Sequence, residues 1–161
     1  SRYAPRSKRS PNEGGVRTPV MIRWPGKVEQ KFDEQTLVSS IDLAPTILRA
    51  CGLKVPPSMG GIDLRDRAAL MKRNAVFGAA YDHDILDVSR PNLSVETRFV
   101  VADTWKLLSH HQEAAQGKPV ELYNLSVDPA ERQNLAARHP GKVKELRARL
   151  DTWWAGPKRA P

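Results

Sequence analysis

The sequence predicts a mixed fold, α/β in class and α+β within its own 161 residues, and three observations carry that reading. A continuous apolar run and an amphipathic helix come first, a connector rich in Pro and Gly follows, and several short strands closed by a second amphipathic helix complete the chain. The apolar run, VMIRW at residues 20–24, fits a strand covered on both faces, and Pro25 and Gly26 end it in a turn. The helix is expected from about residue 43 to 51. Asp42 is its N-cap, Pro45 falls in the first turn where a missing N–H costs little, and Gly52 takes the left-handed C-terminal position. Ala44, Ile47, Leu48 and Cys51 form one stripe, expected to face a core.

The connector KVPPSMGGIDLRDR divides the chain into residues 1–66, the end of an α/β domain, and residues 67–161, a small antiparallel-sheet subdomain. In the second part AVFGAAY is a strand. TRFVVA and WKLLSH form a hairpin around Ala102, Asp103 and Thr104, and VELYNL is a further strand. DPAERQNLA has the spacing of a capping box, with Asp128 as cap and Glu131 three residues on, opening at least one helical turn. In the last helix Val143, Leu146, Leu150, Trp153 and Trp154 share a face suited to packing across a sheet, and Gly156-Pro157 ends it.

Composition excludes several classes. With 40% hydrophobic and 27% charged residues, the chain has the apolar content for a core. No run approaches the ~20 apolar residues of a membrane span, and the first residues carry no apolar signal stretch. They form a polar loop without an initiator Met, as expected of a piece of a longer chain. A lone cysteine, Cys51, excludes an internal disulfide framework and a multi-cysteine zinc site, and its apolar surroundings predict a small buried hydrophobe. The net charge of +8 and pI near 9.9 invite a polyanionic partner. Yet bases alternate with acids, as in VKELRARLD, and no aromatic-plus-basic signature stands out, so a solvated surface is the better account and neither nucleic acid nor membrane is expected as partner.

KRSPNEGGVRTPVMIRWPGKV, SSIDLAPTILRACGL, GIDL, WKLL and ELYNLSVDPAERQNLA stand in the order and spacing of the C-terminal portion of type I sulfatases, the arylsulfatase family. The resemblance spans about residues 8–154. It implies the end of an alkaline-phosphatase-like α/β sheet, then a small antiparallel sheet with a helix packed on it. It also implies a parent enzyme that hydrolyses sulfate esters through a formylglycine nucleophile and a calcium ion. Neither cofactor's residues are present: Cys51 is followed by GLKV rather than the Pro/Ala-x-Arg of the formylglycine motif, and the acidic clusters of the calcium site are missing. The sequence is expected to begin downstream of the family's Asp-Asn pair, to lack its N-terminal catalytic portion, to contain no catalytic residue or metal ligand of its own, and to be inactive alone. The resemblance is compatible with a periplasmic or secreted parent.

One contribution to a substrate site is implied by the resemblance. Lys8, five residues before Glu13, stands where the family places a sulfate-contacting lysine, and a fixed ammonium would balance charge on sulfate oxygens. Against this, a lysine between Arg6 and Arg9 can be merely solvated. Gly14 and Gly15 are expected to supply backbone angles closed to other residues, Arg17 to act as a scaffold cation beside a carboxylate, and Pro19 to set the start of the strand. In YDHD, residues 81–84, His83 is a candidate for the substrate rim, set against a solvated turn at the strand end. His110-His111 mark a hairpin terminus and His139 a loop or helix start.

The expected partner of the parent is a sulfate ester, such as a sulfated polysaccharide. Two rivals remain at this point: a stand-alone interaction module of the same fold, and a basic nucleic-acid-binding protein with steep salt dependence. The isolated chain is also expected to expose an apolar edge and to self-associate.

Overall fold

The computed structural model describes residues 6–84, 87–111 and 119–154. The chain forms two compact units, one of Ser1–Thr18 with Phe77–Pro161 and one of Pro19–Val76. The opening segment thus belongs with the C-terminal half, whereas the division at 66/67 is contiguous.

The larger unit is built on a four-stranded sheet in the order β1-β2-β3-β4, comprising Val76–Tyr81, Val95–Ala102, Trp105–His110 and Glu121–Asn124. The expected hairpin is present. β2 pairs antiparallel with β3 from Thr97↔His110 to Ala102↔Trp105, and Asp103 turns the chain with a φ of 52°. β3 pairs antiparallel with β4, with Lys106 opposite Tyr123 and Leu107 opposite Leu122.

Because side chains alternate along a strand and directly paired residues share a face, this register separates two surfaces. Val100, Leu107 and Leu122 lie on one of them and are fully buried. The terminal helix, Pro140–Trp153, packs there through Leu146 and Leu150, each buried apolar side chain contributing about 1.5–3 kcal/mol relative to exposure. Trp153 stacks on Phe77 at 5.3 Å, and Arg98 holds the helix end through Asp151 at 3.0 Å and the Trp154 carbonyl. The predicted amphipathic face is therefore used. Gly156-Pro157 lie outside the described residues.

The free edge of β4 is closed by the chain that follows it. Leu135 N–H donates to the Leu122 carbonyl (2.8 Å), Leu122 N–H to Asn134 Oδ1 (3.1 Å), and Asn134 Nδ2 to the Val120 carbonyl (3.0 Å). An uncovered edge would otherwise offer itself to another strand. DPAERQNLA does not open a helix. Asp128 accepts from Gln133 N–H at 2.9 Å, but Glu131 adopts a left-handed φ of 54° and is only 1% exposed. Its carboxylate has buried partners elsewhere, described below, so it does not close a capping box.

The smaller unit carries the helix Leu43–Ala50, preceded by a 3₁₀ turn, Ser40–Asp42. Asp42 occupies the N-cap position, but its carboxylate caps nothing in that helix. It accepts from Ser39 N–H (2.8 Å) and Ile62 N–H (2.8 Å) and receives both terminal nitrogens of Arg73 at 2.5 and 2.7 Å. Thr46 Oγ1 donates to the Asp42 carbonyl and accepts from Leu64 N–H. The DLAPT and GIDL motifs are thereby stitched together. Gly61 is required at their junction: its φ is +96°, and an added Cβ would lie 2.3 Å from the Ile41 carbonyl oxygen.

Three expectations fail in this unit. Residues 20–24 form no strand, since nothing among the described residues pairs with them, and Met21 is 89% exposed. Ala44, Ile47 and Cys51 face outward, and Pro45 is the buried residue of the helix, because polar hydrogen bonds rather than the apolar stripe dock it. Cys51 is accordingly an exposed thiol rather than a core residue.

Burial pushes the Asp42 carboxyl up, but Arg73 and the N–H groups of Ile62 and Ser39 outweigh it and hold the group below its ordinary value of 3.8. The folded state thus binds this proton less tightly than the unfolded chain. Its stabilisation is complete above that ordinary value and is lost as pH falls through the lowered one. Arg73→Met, which strands the buried carboxylate, is expected to cost about 3–5 kcal/mol in urea unfolding and to flatten the acid limb of the stability curve. The exposed Met21, Ile22, Phe32 and Ile47 predict concentration-dependent association of the isolated chain. A monodisperse monomer in light scattering, without dye-detectable apolar surface, would contradict this.

Candidate functional site

The opening loop lies against the sheet face opposite the terminal helix. Lys8 sits exposed in a turn between Arg6 and Arg9, both left-handed with φ of 58° and 67°. Such angles cost a non-glycine residue about 1–2 kcal/mol each, and the following segment supplies the contacts that maintain them. Ser10 N–H donates to the Ser7 carbonyl at 2.9 Å, Ser10 Oγ donates to Asn12 Oδ1 at 2.8 Å, and Asn12 precedes a single helical turn, Glu13–Val16.

Gly14 and Gly15 belong to that turn, and neither has a positive φ. This corrects the expectation that they supply unusual backbone angles. They supply room instead: an added Cβ at Gly15 would lie 2.1 Å from the Ser10 carbonyl oxygen and 2.5 Å from that of Ser7, and one at Gly14 2.8 Å from that of Arg6. The Lys8 loop folds directly onto the two glycines. Arg17 is exposed; its N–H closes the turn onto the Glu13 carbonyl at 2.9 Å, and its guanidinium makes no ion pair among the described residues.

Glu13 is held by the sheet. Lys106, from the WKLL strand, is 0% exposed and donates to Glu13 Oε1 at 2.8 Å, while Glu131 Oε1 lies 3.2 Å from the same ammonium in ionic contact. Glu131 Oε2 accepts the Glu13 backbone N–H at 2.6 Å. The ammonium also stands 5.2 Å from the centroid of Phe99, whose ring occupies the space that a side chain at Gly78 would fill. Lys106 and Glu131 escaped sequence reasoning. The available signal was a cation inside an otherwise apolar strand, which requires a buried counter-charge if it points inward.

A second polar group shares this sheet face. His110 bridges Thr97 Oγ1 (2.9 Å, through Nδ1) and Glu121 Oε1 (2.8 Å, through Nε2), and Tyr123 OH donates to Glu121 Oε2. The His110 bond lowers the Glu121 carboxyl, against burial, with Tyr123 adding to the effect; burial and Glu121 raise the Tyr123 phenol. His110 is therefore a cross-strand tie rather than only a hairpin terminus. His139 precedes the terminal helix and meets the Trp105 ring at 5.2 Å.

His83 lies exposed in a bend after β1, flanked by exposed Asp82 and Asp84, and makes no hydrogen bond or ion pair among the described residues. Asp42 belongs to the other unit. Among the described residues no group of three or more His, Cys, Asp or Glu has the arrangement to hold a metal ion, so these residues do not fit a calcium site. No helix among them is long and apolar enough to cross a membrane.

One family model, N-sulphoglucosamine sulphohydrolase, C-terminal, matches residues 5–154, from the Lys8 loop to the end of the terminal helix. The chain belongs to the sulfatase family. It corresponds to a sulfatase C-terminal region. It is 31% identical over 156 residues to an N-acetylgalactosamine-6-O-sulfatase of Bacteroides thetaiotaomicron, covering 90% of this chain and 29% of that protein. It is 28% identical over 145 residues to arylsulfatase K of Bos taurus, covering 89% and 26% respectively. The sulfatase region therefore spans under a third of the length of these curated relatives. Among solved structures, a 2-O GAG sulfatase superposes with a TM-score of 0.60 at 26% identity, covering 80% of this chain and 27% of that one. A protein solved with its substrate D-glucosamine-2-N,6-O-disulfate shares the fold, with a TM-score of 0.51 at 24% identity and coverage of 73% and 24%.

Packing at the two glycines gives a direct test. Gly15→Ala is expected to destabilise the larger unit by about 1–3 kcal/mol through overpacking. Gly141→Ala, in the terminal helix where an added Cβ meets nothing within 4 Å, is expected to stabilise by up to about 1 kcal/mol. Opposite signs in urea unfolding would bear out the assignment.

Proposed function

We propose that this sulfatase region forms the C-terminal part of an enzyme hydrolysing sulfate esters of a sulfated carbohydrate, to which it contributes Lys8 as a sulfate contact. The observation carrying this reading is the exposed Lys8 held between two left-handed residues on a loop packed against Gly14 and Gly15. Strain of this kind, maintained by surrounding packing, is a feature of functional loops. A sulfate monoester retains negative charge on its non-bridging oxygens, and an ammonium fixed beside them orients the group and offsets charge redistributed as the S–O bond to the alcohol breaks. His83, on the strand end of the same unit, is a candidate rim residue for the sugar.

The calcium ion and formylglycine of the family belong, in this reading, to the remainder of the parent enzyme. There the calcium ion, when bound, would neutralise charge on the sulfate, and the formylglycine side chain would supply the nucleophile. This region carries no Cys/Ser-x-Pro/Ala-x-Arg motif, and no group among its described residues is arranged as a metal cage; in this reading turnover requires the remainder of the enzyme. The exposed apolar residues of the smaller unit are its contact with that remainder. A carbohydrate substrate is favoured because the relatives include an N-acetylgalactosamine-6-O-sulfatase and an ulvan-active sulfatase.

In the intact enzyme containing this region, Lys8→Ala is expected to lower kcat/KM for a sulfate ester by about 10²–10³-fold, with unchanged circular dichroism. Wild-type turnover in that variant would remove Lys8 from the site.

A further inference from the structure

Lys106 and Tyr123 are paired across β3 and β4 and share a sheet face, and both ends of the Lys8 loop rest on them. At the leading end the Arg6 guanidinium lies over the Tyr123 ring, 5.7 Å from its centroid. At the trailing end Lys106 binds Glu13, and the Lys106 partner Glu131 takes the Glu13 N–H. Between these ends the loop is closed by short-range bonds. Ser10 N–H donates to the Ser7 carbonyl, Asn12 N–H to Ser10 Oγ, and Gly15 and Val16 N–H to the Asn12 carbonyl. A shift of Glu13 is therefore transmitted to the backbone that carries Lys8.

We infer that Lys106 is a positioning residue for the sulfate-contacting loop: through Glu13, the C-terminal sheet sets where the Lys8 ammonium stands. The inference rests on the reading of Lys8 as the sulfate contact. Its chemistry follows from the burial of the site. An ammonium withdrawn from water requires its counter-charges to be held in place, and here one of them is the first residue of the turn beneath the loop. A neutral side chain at position 106 would leave Glu13 and Glu131 facing each other with like charges, and the turn would move outward to hydrate Glu13.

The test uses amide hydrogen exchange and kinetics on the intact enzyme containing this region, with Lys106→Met and the milder Glu13→Gln, which leaves the Lys106–Glu131 pair in place. Exchange at Ser10, Gly15, Val16 and Arg17 is expected to accelerate about tenfold or more in both variants, because each removes the ion pair between positions 106 and 13. Amides of Val100 and Leu107 should stay unchanged in Glu13→Gln. In the intact enzyme kcat should fall about ten- to hundredfold with KM nearly constant, as for a misplaced catalytic contact. Unchanged loop exchange in Glu13→Gln, or acceleration spread equally over the β2–β3 ladder, overturns the inference. So does an active wild type whose two variants keep its kcat. An intact wild type inactive on sulfate esters refutes the functional reading instead, and exchange alone then decides whether Lys106 holds the loop.

Discussion

One buried ammonium organises the larger unit. Lys106 is fully withdrawn from solvent between Glu13 and Glu131, and removing such a charge from water costs several kcal/mol unless its partners are held by geometry. That requirement reaches three separated parts of the sequence. The Glu-Gly-Gly turn must lie on the sheet, the chain after β4 must turn at a left-handed Glu131, and Phe99 must cross Gly78 to line the site. The ion cluster supplies direction where hydrophobic burial, which is non-directional, would not.

The smaller unit follows the same logic with the opposite sign. Its buried set, Asp42, Pro45, Asp63, Leu70 and Ala75, contains few large apolar side chains. Asp42 gathers Arg73 and the N–H groups of Ser39 and Ile62, and Thr46 and Gly61 complete the stitch. A carboxylate can accept from several donors at once and so fixes loops that share no periodic pattern. The outward apolar face of its helix and the unpaired residues 20–24 stay largely exposed.

These two clusters explain why the sequence motifs are spaced as they are. Glu-Gly-Gly, WKLL and DPAERQNL meet around one ammonium and one sheet edge, with Asn134 closing β4. DLAPT and GIDL meet around one carboxylate. The same residues thus serve the fold directly, and within the larger unit the Lys8 loop lies against the sheet face that carries Lys106.

By itself the sequence determined the hairpin, the four strands of the small sheet and the amphipathic terminal helix, because period-2 and 3.6 patterning is imposed locally by backbone geometry. It also determined the family, through motif order. It misassigned the strand at 20–24 and the burial of Ile47 and Cys51, since apolar character gives a preference for burial but not the partner that provides it. The role of Glu131 depended on contacts across more than a hundred residues: a capping box and a buried counter-ion have the same one-letter spelling. Only the tertiary structure decided that Lys106 points inward, that Gly14 and Gly15 serve closeness rather than backbone angle, and that Asp42 binds an arginine rather than capping the helix that follows it. Each is a question of which charges and backbones meet once the chain is folded, and no local period encodes it.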